Sequence, residues 1–249
     1  MIGLVLGGGG ARGAYEVGVI KALKEIGVKC EIVTGVSVGT LNAVLYAQQE
    51  IEYENIWRNI EYEKVVKHNF KWKNKALEIL FKASFHGGFS TDPLRELLSE
   101  YLVEEKIKSS PIKMGLVYTS PIKKYNEVEV NKIEDGKVID YIITSCSAIP
   151  FLKRTRLNNK RCYDGYYSDN VPINLAVKMG AKKIIAIDIM KGFKKKIKDK
   201  TIPILKIKPK NKMKFFLNFD HNVIEEYIEF GYNETMQRKE EILEFVNVK

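Results

Sequence analysis

The sequence predicts an α/β protein of three layers, with helices on both faces of a mostly parallel central sheet. Three observations lead there. The runs "IGLVLGG" and "KKIIAIDIM" are short, continuous and apolar, the pattern of strands buried on both faces. Helical patterns flank them, "ARGAYEVGVIKALKEIG" after the first and "PINLAVKMGA" before the last, and such alternation implies parallel strands joined by helical crossovers. The chain, 249 residues of which 45% are hydrophobic and 29% charged, is long enough to bury one large core.

Taken in order, "IGLVLGG" is the first strand and "ARGAYEVGVIKALKEIG" the first helix, closed by Gly27 as its C-cap. "CEIVTG" is a second strand and "TLNAVLYAQQE" a second helix. Residues 51–109 read as mainly helical, an insert or cap that covers or gates a site built by the sheet. Within it, Phe70–Phe85 is amphipathic, with Leu77, Leu80, Phe81 and Phe85 on one face and Lys71, Lys75, Glu78 and Lys82 on the other. Such a helix either packs on its own domain or lies at a membrane interface. "STDPLRELLSEYL" starts a helix with Asp92 as N-cap and Pro93 at the first helical position, so capping accounts for Asp92. Residues 112–143 read as strands joined by turns, before the helix and strand of 172–190. With no repeat and no low-complexity linker, residues 1–249 are expected to form one domain, ending in a basic segment, 191–249.

Net charge is +10, and Lys191–Lys214 concentrates lysines around a single acid, Asp199. A patch of this kind attracts polyanions in general, or is simply a solvated surface. Joined to the amphipathic segment, it suggests transient docking on anionic lipid, weakened by salt; nucleic acid is not expected. Cys30, Cys146 and Cys162 are odd in number and widely spaced, which disfavours a disulfide framework or a zinc site and fits small buried residues. No apolar run reaches membrane-spanning length and the start lacks a leader pattern, so the expected address is the cytoplasm, at most peripheral to the inner face of a membrane.

Three clusters carry chemistry. "GGGGARG", Gly7 to Gly13, lies between the first strand and first helix, where converging backbone N–H groups make an anion site. Its Gly8, Gly10, Gly13 spacing fits a dinucleotide fingerprint, but the second strand ends "IVTGVS" without the acid that would hold a ribose. "GVSVG" is a G-x-S-x-G nucleophile elbow between strand and helix: Gly35 and Gly39 make room for a tight turn that presents the Ser37 hydroxyl at a helix N-terminus. For a base, the three histidines are His68 and His86 in the helical middle and His221 at the start of a late helix. His221 fits the chain order of a Ser–acid–His triad and stands as the rival base. The third cluster, "RCYDGYYSDNVPINLAV", puts Asp164 before Gly165 in a polar loop, either as a general base with a pKa raised by burial or as an ordinary Asp-Gly turn. Spacing alone does not decide between them.

In this order the clusters resemble the patatin-like phospholipase family. Gly8-Gly9-Gly10-Ala11-Arg12-Gly13 resembles its oxyanion loop, Gly35-Val36-Ser37-Val38-Gly39 its elbow and Asp164-Gly165 its Asp-Gly motif. "SCSAIPF" and "DNVPINLAVKMGAKKIIAIDI" resemble family segments around that aspartate, so the likeness covers about residues 1–50 and 85–190. The resemblance implies a patatin-like fold and a lipid acyl hydrolase acting on phospholipid or lysophospholipid esters, with no cofactor or metal. Ser37 would be the nucleophile, Asp164 the base, Gly8, Gly9 and Gly10 the oxyanion loop, with Arg12 steadying that loop or meeting a phosphate. Gly13, Gly35, Gly39 and Gly165 would support it. Tyr166 departs from the small residue the family places after Asp-Gly, which bears on the acyl pocket. Other readings are a histidine-triad esterase or thioesterase, a weakly active regulatory or membrane-binding protein, and a nucleotide-binding module.

Overall fold

A computed structural model describes residues 1–50, 52–60, 81, 88–122, 124–192 and 194–247. Its centre is parallel: β1 (Ile2–Leu6) lies between β2 (Ile32–Gly35) and β7 (Lys183–Ile187). On one side β2 is followed by β3 (Lys113–Thr119), and on the other β7 by β8 (Ile204–Ile207), both parallel. The antiparallel strands β4 (Tyr125–Glu129) and β6 (Lys160–Asp164) pair with β3, and β5 (Thr155–Leu157) pairs with β6.

Alternating side chains explain why these runs are apolar throughout. Leu4, Leu6, Val33, Ile185 and Ile187 enter one core, while Val5, Ile32, Val117, Ile184 and Ala186 enter the other. The first core is covered by α1 (Gly13–Ile26), α2 (Val38–Ala47), α6 (Val138–Ser145) and α8 (His221–Met236), and the second by α7 (Ile173–Lys178). The remaining described helices are α3 (Tyr53–Arg58), α4 (Asp92–Tyr101), α5 (Glu104–Lys108) and α9 (Lys239–Asn247). Gly27 closes α1 in the left-handed conformation, φ 91°, as its place at the end of the helical pattern implies.

Two local expectations are corrected. Residues 138–143 are helical, not a strand: Val138, Ile142 and Ile143 are fully buried while Asp140 stays partly exposed and pairs with Arg95 of α4 at 2.7 Å. The run of β-branched residues argued for a strand, and packing of one face against the core overrode it. Helix α4 begins at Asp92 with Thr91 in the cap position, and the Asp92 carboxylate takes the Ser90 hydroxyl at 2.6 Å instead of a helix N–H. His68, His86 and the amphipathic segment Phe70–Phe85, apart from helical, exposed Phe81, lie outside the described residues. Cys30, Cys146 and Cys162 are free and buried.

The carboxyl ends of β1 and β2 lie side by side where β7 and β2 leave β1 in opposite directions. Open α/β sheets hold their sites at such a switch point.

Candidate active site

The turn from β2 to α2 holds Ser37 at φ 53°, ψ −129°, a conformation few residues other than glycine adopt. A Cβ at Gly35 would lie 2.3 Å from the Gly39 carbonyl oxygen, and one at Gly39 2.5 Å from that of Leu6. Both glycines are therefore required by close backbone approach. The strained turn is fastened from α6: the Ser37 N–H donates to Ser145 Oγ (3.1 Å), which itself donates to the Val117 carbonyl (2.7 Å). The Cys146 thiol donates to the Ser37 carbonyl (3.3 Å). The sequence identified the segment holding Ser145 and Cys146 only by likeness; nothing local marked them as supports of the elbow.

Asp164 is the last residue of β6, not a loop residue, and its register opposite Tyr118 delivers it to the end of β3. Its Oδ1 accepts the Tyr166 N–H at 2.8 Å, the Asp-Gly turn expected of the dipeptide. The turn therefore uses one carboxylate oxygen of Asp164 and leaves the other. Gly165 is needed because a Cβ there would lie 2.4 Å from the Val117 carbonyl oxygen. Only 1% of Asp164 is exposed and Oδ2 has no hydrogen-bond partner among the described residues. Burial pushes its pKa up to about 7, partly offset by the neighbouring Ser37 side chain and the Tyr166 N–H. A carboxyl of that strength beside a serine hydroxyl suits a general base near neutrality, and such contacts tighten when the reacting group arrives.

The glycine loop is set by a residue that sequence reasoning missed. Buried Asn170 accepts the Gly8 N–H through Oδ1 (3.0 Å) and donates Nδ2 to the Gly8 carbonyl (3.1 Å), pairing with the loop as a strand would. The Gly8 N–H is thereby committed to Asn170. The N–H groups of Gly9 and Gly10 make no hydrogen bond to a described residue. Gly10 sits at φ 58°, where a Cβ would lie 2.2 Å from the Phe216 carbonyl oxygen, and the Ala11 N–H binds that same oxygen at 2.7 Å. Arg12 Nε and Nη2 donate to the Lys214 carbonyl at 3.1 and 2.9 Å, so Arg12 steadies the loop by tying it to 214–216. Gly13 lets the loop pack on Val38 and Trp57.

Ser37, Asp164 and Gly8–Gly10 lie at a cavity of about 300 Å³ whose other walls are mainly apolar, among them Leu41, Val44, Trp57, Leu94 and Leu98. Trp57 is held by its Nε1–H to Asn42 Oδ1 (2.8 Å), and Asn42 Nδ2 reaches the Gly13 carbonyl (3.0 Å) and the buried Glu16 carboxyl (2.9 Å). Burial raises the Glu16 pKa well above the ordinary carboxyl range. Tyr166 also borders the cavity, with its hydroxyl directed to the Lys191 carbonyl (3.0 Å). His221 does not line it. That ring is exposed, with Nδ1 3.3 Å from the Arg58 carbonyl and Nε2 3.9 Å from Glu225.

The family model described as "Patatin-like phospholipase" matches residues 4–177. Patatin-like phospholipase domain-containing protein 6 of Homo sapiens is 29% identical over 192 residues, 76% of this chain and 13% of that protein. Lysophospholipase NTE1 of Debaryomyces hansenii is 28% identical over 193 residues, 76% of this chain and 12% of its own length. The chain thus spans a small part of these curated relatives. Among solved structures, VipD from Legionella pneumophila shares the fold, with a TM-score of 0.55, 14% identity, and coverage of 96% of this chain and 67% of that one.

Proposed function

The chain belongs to the patatin-like phospholipase family, and from that premise we propose that it is a serine lipid acyl hydrolase working through Ser37 and Asp164. The observation that carries the reading is the presence of a strained serine and a buried aspartate with a pKa raised to about 7 among the walls of one apolar cavity. The Asp164 carboxylate takes the Ser37 proton as Oγ attacks the ester carbonyl carbon. Negative charge then gathers on the former carbonyl oxygen, facing the N–H groups of Gly9 and Gly10 and the N-terminus of α2. Collapse breaks the ester C–O bond, and Asp164 returns its proton to the departing alcohol. Water, deprotonated by Asp164, attacks the acyl-serine; the acyl C–Oγ bond breaks, Asp164 returns the proton to Ser37 Oγ, and the fatty acid is freed.

The apolar cavity favours an acyl chain, and a relative named lysophospholipase supports phospholipid or lysophospholipid esters as substrates. Ser37→Ala and Asp164→Asn should each lower kcat on p-nitrophenyl esters by about 10²–10⁴-fold, and His221→Ala should leave it within twofold. Activity lost with His221 and retained without Asp164 would overturn the dyad. Docking on anionic membrane through the lysine-rich 191–214 stretch is part of the same proposal, and vesicle co-sedimentation that ignores both lipid charge and salt would remove it.

A further inference from the structure

The β5–β6 hairpin carries a feature that the chemistry at Ser37 does not use. Its turn residues Asn158 and Asn159 both have positive φ, 49° and 61°, the two-residue turn that locks hairpin register. That register sets Arg156 directly opposite Arg161. Like charges so placed across an antiparallel pair repel and destabilise it. Lys153 and Arg154 open onto the same surface cleft, of about 700 Å³, and no carboxylate of a described residue lines it. All four cations are exposed, and none forms an ion pair or side-chain hydrogen bond with a described residue; Arg154 only lies over the Tyr163 ring, 5.7 Å from its centroid.

The cleft adjoins the catalytic cavity. Tyr167 walls both spaces, its hydroxyl donating to the Ile149 carbonyl. Strand β6 runs from one to the other, with Arg161 three residues before Asp164. A cluster of exposed cations at and just before a hairpin, without an ion partner among the described residues, is eased by an anion that bridges them, and guanidinium forks match phosphate oxygens in pairs. Building on the acyl-hydrolase reading above, we infer that this cleft binds the phosphate of a glycerophospholipid whose acyl ester lies at Ser37.

The test uses Arg156→Thr/Arg161→Thr, which keeps strand-forming side chains on the hairpin and should not lower the melting temperature. Calorimetric titration of wild type with glycerol 3-phosphate should give saturable, salt-weakened binding, at least tenfold weaker in the variant. On a short-chain phospholipid below its micelle concentration, KM should rise at least tenfold, with p-nitrophenyl butyrate hydrolysis within twofold. Equal glycerol 3-phosphate binding by both proteins, or equal losses on both esters, overturns the proposal. So does binding of inorganic phosphate with phospholipid KM unchanged, which would mark a free-anion site. A loss confined to vesicle binding would assign the charges to the membrane surface and likewise overturn it. If wild type hydrolyses neither ester, the Ser37–Asp164 reading fails, and the glycerol 3-phosphate titration still decides the cleft.

Discussion

At Asp164 two demands conflict, and the conflict is measurable. The carboxyl has an ordinary value of 3.8 and is pushed up to about 7 by burial, so between those pH values the folded chain binds more protons than the unfolded one. This group's contribution to stability is therefore most favourable below 3.8 and declines as pH rises to about 7. The same ionisation is what makes a base. Hydrolysis should accordingly gain an acid limb, with kcat/KM rising through pH about 7 and flattening above it. Asp164→Asn should abolish that limb with the activity and raise the melting temperature more at pH 8 than at pH 5. A pH profile flat from 5 to 9 in wild type would mean that Asp164 is not the titrating base. Glu16, buried below the glycine loop with Oε1 unpartnered among the described residues, shows the same tension without a place in the chemistry.

Among elements, α1 and α8 pack backbone against backbone. A Cβ at Gly231 would lie 2.0 Å from the Tyr15 carbonyl oxygen, and one at Gly18 2.0 Å from that of Ile228. Each helix thus presents a glycine to the other's backbone. Gly231→Ala must separate the helices, and overpacking of this kind costs about 1–3 kcal/mol. The melting temperature should fall by roughly 2–12 °C, a chain of this size losing about 2–4 °C per kcal/mol. An unchanged melting temperature would show that the helices separate freely. Neither glycine announces its partner in the sequence, because each meets a backbone more than 200 positions away. The same limit explains what was legible. Strands β1, β2 and β7 and their adjoining helices could be read because two-sided burial leaves a continuous apolar run. The strained turn at Ser37 could be read because Gly35 and Gly39 fit a close backbone approach, whereas Asp164 was singled out only by the family resemblance, since an Asp-Gly turn accounts for the dipeptide equally well. Asn170, Ser145 and Trp57 could not, since each acts through a contact distant in sequence. Strand β8 was hidden among lysines: in "ILKI" Leu205 and Ile207 are buried while Lys206 points outward.

Across the whole molecule, the site is completed by chain beyond the family match. That match ends at residue 177, yet Phe216, Leu217 and Phe219 line the cavity and the Phe216 carbonyl anchors Ala11. The anchor is held in turn by Arg12 on the Lys214 carbonyl and by the Lys214 N–H on the Tyr227 hydroxyl (2.6 Å) of α8. The lysine-rich stretch that reads as a solvated surface therefore leads directly into a wall of the cavity. Two roles at Phe216 can be separated because they belong to different atoms. Its carbonyl supports the glycine loop, whereas its ring, packed edge-on against Phe151 with centroids 5.1 Å apart, shapes the apolar wall. Phe216→Ala keeps the carbonyl and removes the ring. If the ring contacts the distal acyl chain, losing about 1–2 kcal/mol of apolar contact should raise KM for a decanoyl ester about fivefold to thirtyfold. A butyryl ester, too short to reach it, should be hydrolysed at the wild-type rate. An equal fall on both esters would instead place the ring's effect in the loop, and the segment 214–219 would then act on catalysis through Gly9 and Gly10 instead of on chain-length selection.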